Sequence, residues 1–130
     1  MRSLIEAGRS APGRSLARGP VVLFTVDPKT LRATSVSANV ERETGYTPAE
    51  FLADPEIWWK SLHPDDEPAV RASFETLFAS GEVSREYRMR VKDGSWRLVR
   101  DQLVLRCGPD GEPLEIVGCA YDVQHRKSLE

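Results

Sequence analysis

The densest run of chemically capable side chains is His63-Pro64-Asp65-Asp66-Glu67, which brings an imidazole and three carboxylates together. Such a set has the atoms for divalent-cation binding or acid–base work. It also stands where a helix is due to begin, and carboxylates there are already explained by capping and by the helix dipole. Cys107, Cys119 and His125 complete the inventory of thiols and imidazoles. Neither cysteine has a histidine at zinc-ligand spacing, and two thiols do not hold an iron–sulfur cluster unaided. A turn centred on Asp110-Gly111 sets Cys107 opposite about residue 114 and Cys119 opposite about residue 102, so free thiols are expected rather than a disulfide. There is no phosphate-binding Gly loop and no Ser/His/Asp or Cys/His set at nucleophile spacing. The expectation is a segment that is not an enzyme, with no catalytic, cofactor-binding or metal-ligating residue.

Two further groups invite a functional reading. Trp58-Trp59 could stack on a planar ligand, but neighbours on a helical turn point about 100° apart. Trp59 is therefore read as interior and Trp58 as semi-exposed. Arg85, Arg88, Arg90, Lys92, Arg97, Arg100 and Arg106 make the C-terminal half locally basic, yet Glu86, Asp93 and Asp101 interleave and the net charge is −2. A solvated or partner-facing sheet surface fits that mixture better than a nucleic-acid surface.

The elements that must position these residues follow from periodicity. At 130 residues the chain is read as one domain with a real core. No apolar run reaches membrane-spanning length and the first twenty or so residues carry no apolar signal core, so a cytoplasmic protein without membrane contact is expected. Residues 1–19 read as a short helical turn at Leu4-Ile5 followed by linker. Pro20 to Val26 and Arg32 to Val36 read as strands. Asn39 is placed to cap a helix over Val40 to Thr44, with Gly45 closing it. Thr47-Pro48-Ala49-Glu50 has the form of a capping box. Asp65 is read as the cap of the longest helix, whose apolar stripe is Val70, Phe74, Leu77 and Phe78.

Ser84 to Val123 then reads as a three-strand meander. Alternation through Arg85-Glu86-Tyr87-Arg88-Met89-Arg90-Val91 marks a half-buried strand. Asp93-Gly94 suits a two-residue hairpin turn, which would set Val91 opposite Trp96, Met89 opposite Leu98 and Tyr87 opposite Arg100. The order of elements predicts an α+β fold, a five-stranded antiparallel sheet with helices over one face. A small ligand would fit between the two layers, walled by Phe24, Trp59, Phe74, Tyr87, Met89 and Leu98.

These residues, in order, resemble a PAS domain. The resemblance rests on Val36-Ser37-Ala38-Asn39 with Gly45-Tyr46, on Trp59, Leu62 and His63-Pro64-Asp65-Asp66, and on Glu86-Tyr87-Arg88. It continues through Lys92-Asp93-Gly94-Ser95-Trp96, Val99-Arg100-Asp101, and Gly118-Cys119-Ala120-Tyr121-Asp122-Val123 with Arg126-Lys127. The His-Pro-Asp-Asp element is similar to that of one large subgroup; Gln124-His125 departs from the pattern. The resemblance implies a PAS domain over 20–124, with a linker before it and the start of another over 125–130. It implies a sensory module that regulates an attached output domain, a histidine kinase being the first expectation, with Asp122 as the signal exit. The alternative is a ligand-free dimerisation or interaction module in a diguanylate cyclase, phosphodiesterase or similar protein. No photoactive cysteine stands among the short helices and no histidine on the long one, so no cofactor is expected and His63 is read as a turn residue. A weak homodimer is expected, formed by the N-terminal segment on an outer sheet face offering Val99, Leu103 and Leu105.

Overall fold

A computed structural model of the chain describes residues 19–124. The readings made for 1–18 and 125–130, including the Leu4-Ile5 turn and Arg126-Lys127, lie outside them. The described elements run β1 (Val22–Val26), β2 (Ala33–Val36), α1 (Val40–Thr44), α2 (Pro48–Ala53), α3 (Ile57–Ser61), α4 (Glu67–Ser80), β3 (Glu82–Arg90), β4 (Trp96–Cys107) and β5 (Pro113–Asp122). The strands form one antiparallel sheet in the order β2-β1-β5-β4-β3. The chain leaves this sheet after β2, crosses one face as helices, and returns at the far edge as β3. The α+β expectation therefore holds.

Register is where sequence and structure part. The β3–β4 connection is a three-residue loop closed by Val91 N donating to Ser95 O at 2.9 Å, with Gly94 at φ 93°. This is the hairpin in which a turn is followed by a left-handed residue. Arg90 pairs with Trp96, Tyr87 with Val99 and Arg85 with Asp101, one residue away from the two-residue-turn expectation. Side chains alternate with period two, so the slip reverses the faces of β4. Leu98 sits opposite Arg88 on the outer side and is 37% exposed, which corrects its place in the expected ligand wall. Val99 and Leu103 are buried instead, and Leu105 packs against the core around Leu77 and Ile116, so none of the three belongs to an outer face.

The long helix α4 lies on the sheet through Val70, Phe74 and Leu77. Phe78 is 40% exposed, because it stands about 80° around the helix from Val70 whereas Leu77 returns to within about 20°. Two expected caps do other work. Asn39 makes no cap bond; its Nδ2 donates to the carbonyls of Gly19 and Val21, tying the entry of β1 to the start of α1. Asp65 is one residue outside the cap position, and Asp66, which occupies it, makes no cap bond either. The Asp66 carboxylate instead accepts from the Arg88 backbone N–H at 2.8 Å and from its guanidinium at 3.0 and 2.9 Å. With His63 N donating to Arg88 O at 3.0 Å, the His-Pro-Asp-Asp run clasps the start of α4 onto β3. His63 is a turn residue, as read, its Nδ1 accepting from Asp65 N at 3.1 Å.

Two outcomes follow. Gly94→Val forces a β-branched residue to positive φ and should cost about 1–3 kcal/mol in urea unfolding, an unchanged midpoint being contrary. The Arg88 hydrogen bonds hold Asp66 down from the ordinary 3.8 to about 2. A depressed folded-state pKa means that this contribution is complete above the ordinary value and is lost as pH falls toward the folded one. Asp66→Asn should therefore show a shallower loss of stability between about pH 4 and 2 than the parent chain; identical acid limbs would contradict the clasp.

Candidate functional site

Between the sheet and the short helices lies a half-open cavity of about 150 Å³. Its floor is the inner sheet face, where period-two alternation aligns Val22 and Phe24 of β1 with Tyr87 and Met89 of β3, Val99 of β4 and Ala120 of β5. Gly118 pairs with Phe24, and a Cβ there would collide with the Phe24 ring and the Leu103 side chain. The missing side chain lets that ring lie down on the sheet. The roof is Val40, Phe51, Ile57, Trp58 and Trp59, carried by α1 to α3.

The short helices are held by polar ties rather than by length. Thr47 and Glu50 form the expected capping box, with bonds of 3.1 and 3.0 Å. Glu50 also meets Lys92 Nζ at 3.3 Å, and Lys92 N donates to Thr44 O at 2.9 Å. Gly45, at φ 86°, allows the close approach, since a Cβ there would stand 2.7 Å from Lys92 Cβ. The β3–β4 loop thus fixes the junction of α1 and α2. Leu62 bridges to Met89 at the other end of the roof.

Trp58 and Trp59 both line the cavity and both are half-buried, so Trp58 is semi-exposed as read and Trp59 is less interior than expected. Their rings meet edge to face at 4.8 Å and 67°. Trp58 then contacts Tyr87 at 5.7 Å, and Trp59 contacts Phe74 at 5.9 Å. Adjacent helical residues reach one cavity because α3 is a short helix lying along the wall, so two directions about 100° apart both meet aromatic neighbours.

Beneath these rings lies the feature that sequence reasoning missed. Arg85 Nε and Nη2 donate to the two Asp101 carboxylate oxygens at 2.8 and 2.7 Å, and Tyr87 Oη donates to Asp101 at 2.8 Å. Arg85 Nη1 reaches Ser73 Oγ of α4 at 3.3 Å. The side chains of Arg85 and Asp101 are 5% and 0% exposed. Burial works against the Arg85 charge, but the Asp101 bonds outweigh it and leave its pKa raised. Burial, reinforced by the Asp101 charge, pushes the Tyr87 hydroxyl well above its ordinary value, so it remains a donor. From sequence, both Arg85 and Asp101 read as part of a solvated, charged sheet surface. Arg85 shares the parity of Tyr87 and Met89, and that was the available signal.

Of the residues expected to wall a ligand, Phe24, Trp59, Phe74, Tyr87 and Met89 line the cavity, and Leu98 lies on the opposite face. Asp122 ends β5 at the cavity rim, where its carboxylate stands 3.7 Å from Arg97 Nη1 of β4. Cys119 pairs with Gln102 and Cys107 with Pro113, which keeps the two free thiols apart. Among the described residues no cluster of His, Cys, Asp or Glu could hold a metal ion, and no helix is long and apolar enough to cross a membrane.

The family model described as PAS fold matches residues 33–120. The chain belongs to the PAS-fold family. A curated relative, the methyl sulfide methyltransferase-associated sensor of Methanosarcina acetivorans, is 34% identical over 97 residues. The match covers 73% of this chain but 10% of that protein, so the chain spans about a tenth of the relative's length. The N-terminal domain of a diguanylate cyclase with PAS/PAC sensor from Marinobacter aquaeolei superposes with a TM-score of 0.72 at 18% identity, covering 83% of this chain and 98% of that one. A sensory box histidine kinase/response regulator from Burkholderia thailandensis gives 0.69 at 26% identity, covering 92% and 88%. This PAS domain is thus a sensory module of the kind found in signalling proteins.

The ion pair generates a double prediction. Asp101→Asn strands a buried guanidinium and should cost about 3–5 kcal/mol, whereas replacing the whole polar set, Arg85→Met and Asp101→Leu with Tyr87→Phe, should leave stability near or above the parent. Chemical denaturation decides between them; equal losses in the single and triple variants would contradict this reading of the pair.

Proposed function

We propose that this PAS domain is a ligand-responsive sensor that controls an output module attached in a longer, cytoplasmic chain, with a sensor histidine kinase as the preferred output. One observation carries the reading: the cavity wall reaches Asp122, the last residue of β5, through its ion pair with Arg97. A ligand touching that wall can favour one arrangement of the Arg97–Asp122 contact over another. Differential contact of this kind is what lets binding shift a conformational equilibrium. Val123 and Gln124 leave the sheet in a helical turn directly after Asp122, which supports a change there reaching the chain that follows. The kinase preference draws on the sensory box histidine kinase similar to this chain.

A second role has its own support. Trp96 and Leu98 are 47% and 37% exposed on the side of the sheet away from the helices. Exposed large apolar groups of this kind favour pairing between copies of the domain, with or without a ligand.

The sensor reading predicts that Arg97→Ala speeds amide exchange at Ala120 to Val123 severalfold while Leu103 keeps its protection. In a chimera carrying a histidine kinase output region after Lys127, the same change should alter basal autophosphorylation. Unchanged exit exchange together with unchanged output would overturn it.

A further inference from the structure

Resting on the sensor reading, we propose that the cavity's ligand is a small, neutral, largely apolar ring compound of about six to ten non-hydrogen atoms. Size sets the first limit. The cavity of about 150 Å³ is well below the roughly 300 Å³ at which drug-sized sites begin. Enclosed apolar cavities of its order of volume accept benzene-sized guests, and the open side of this one gives such a guest a way in. The surfaces that meet a guest are Val22, Phe24, Trp58, Trp59, Val99 and Ala120, hydrocarbon or aromatic throughout.

Charge sets the second limit. A ligand carboxylate would need an available cation, but Arg85 already gives two bonds to Asp101 at 2.8 and 2.7 Å. Glu43, Asp54 and Asp122 add carboxylates at the rim, against which Arg97 is the cation among the lining residues there. A ligand ammonium would look for aromatic faces, and a cation already lies over them. Arg85 Cζ stands 5.3 Å from the Trp58 ring, 5.0 Å from Phe74 and 5.7 Å from Tyr87. The lining is mostly hydrocarbon or aromatic, so a strongly polar guest would meet few partners. Its own polar atoms would then be desolvated without compensation. A neutral ring suffers neither penalty and gains edge and face contacts with the two tryptophans.

The test titrates the 130-residue chain with toluene, benzoate and tetramethylammonium, read by tryptophan fluorescence and by amide chemical shifts. Toluene should bind at least about tenfold more tightly than either charged probe, with shifts centred on Val99 and Ala120. Ala120→Leu, which fills the cavity from β5, should abolish toluene binding; Ala33→Leu on the edge strand β2 serves the same purpose if the first variant fails to fold. Benzoate or tetramethylammonium binding as tightly as toluene, and lost in the filled variants, would overturn the ligand class while leaving a ligand-responsive sensor intact. Binding of none of the three probes, or toluene binding that ignores both filled variants, would overturn the ligand class, while the sensor reading falls separately, on unchanged exit exchange and output in Arg97→Ala.

Discussion

The buried bidentate pair between Arg85 and Asp101 is the constraint on which the rest of this domain depends. Two charges taken out of water are tolerable only when their geometry is good and their remaining bonds are met. Here they face each other directly across the β3–β4 ladder, with Tyr87 completing the carboxylate and Ser73 of α4 completing the guanidinium. A slip of one residue would turn one partner to solvent and leave the other stranded. The pair therefore specifies the register that places Tyr87, Met89, Val99 and Leu103 on one face. It also anchors α4 to that face through a polar contact that hydrophobic packing alone does not direct.

With the floor defined, the roof is held off it. α1, α2 and α3 are each only five or six residues long, too short to be stable by themselves. Their positions are set by ties to fixed points on the sheet: Thr44 and Glu50 to Lys92, Leu62 to Met89, and His63 and Asp66 to Arg88. These ties lie around the periphery and leave the centre apolar and unfilled. A roof supported at its edges leaves room between the two layers that a fully interdigitated core would not.

The elements were legible in the sequence because local signals coincide with them. Alternation marked β3, turn clusters marked the two connections within the meander, and Thr47-Pro48-Ala49-Glu50 announced α2. Register was not legible, since Asp93-Gly94 suits both a two-residue turn and a three-residue loop with Gly94 left-handed. That single ambiguity moved Leu98 into the expected wall and Val99 and Leu103 out of it. It also hid the central pair, for an Arg and an Asp on a highly charged meander read as surface until they are known to be opposite. Asn39, Asp65 and Asp66 show a related limit. Their types suit helix caps, but the long-range partners that claim Asn39 and Asp66, the Gly19 and Val21 carbonyls and Arg88, lie far away in sequence.

The central claim is that the ion pair and the roof ties maintain a preformed, apolar cavity beside the exit of β5. Its most direct measurement is a crystal structure of the domain under xenon pressure, because xenon enters dry apolar spaces and not hydrated ones. The account predicts xenon density between Phe24, Trp59 and Val99, above an intact Arg85–Asp101 pair. A cavity filled with ordered water, or closed by collapse of Trp58 and Trp59 onto the sheet, would contradict it.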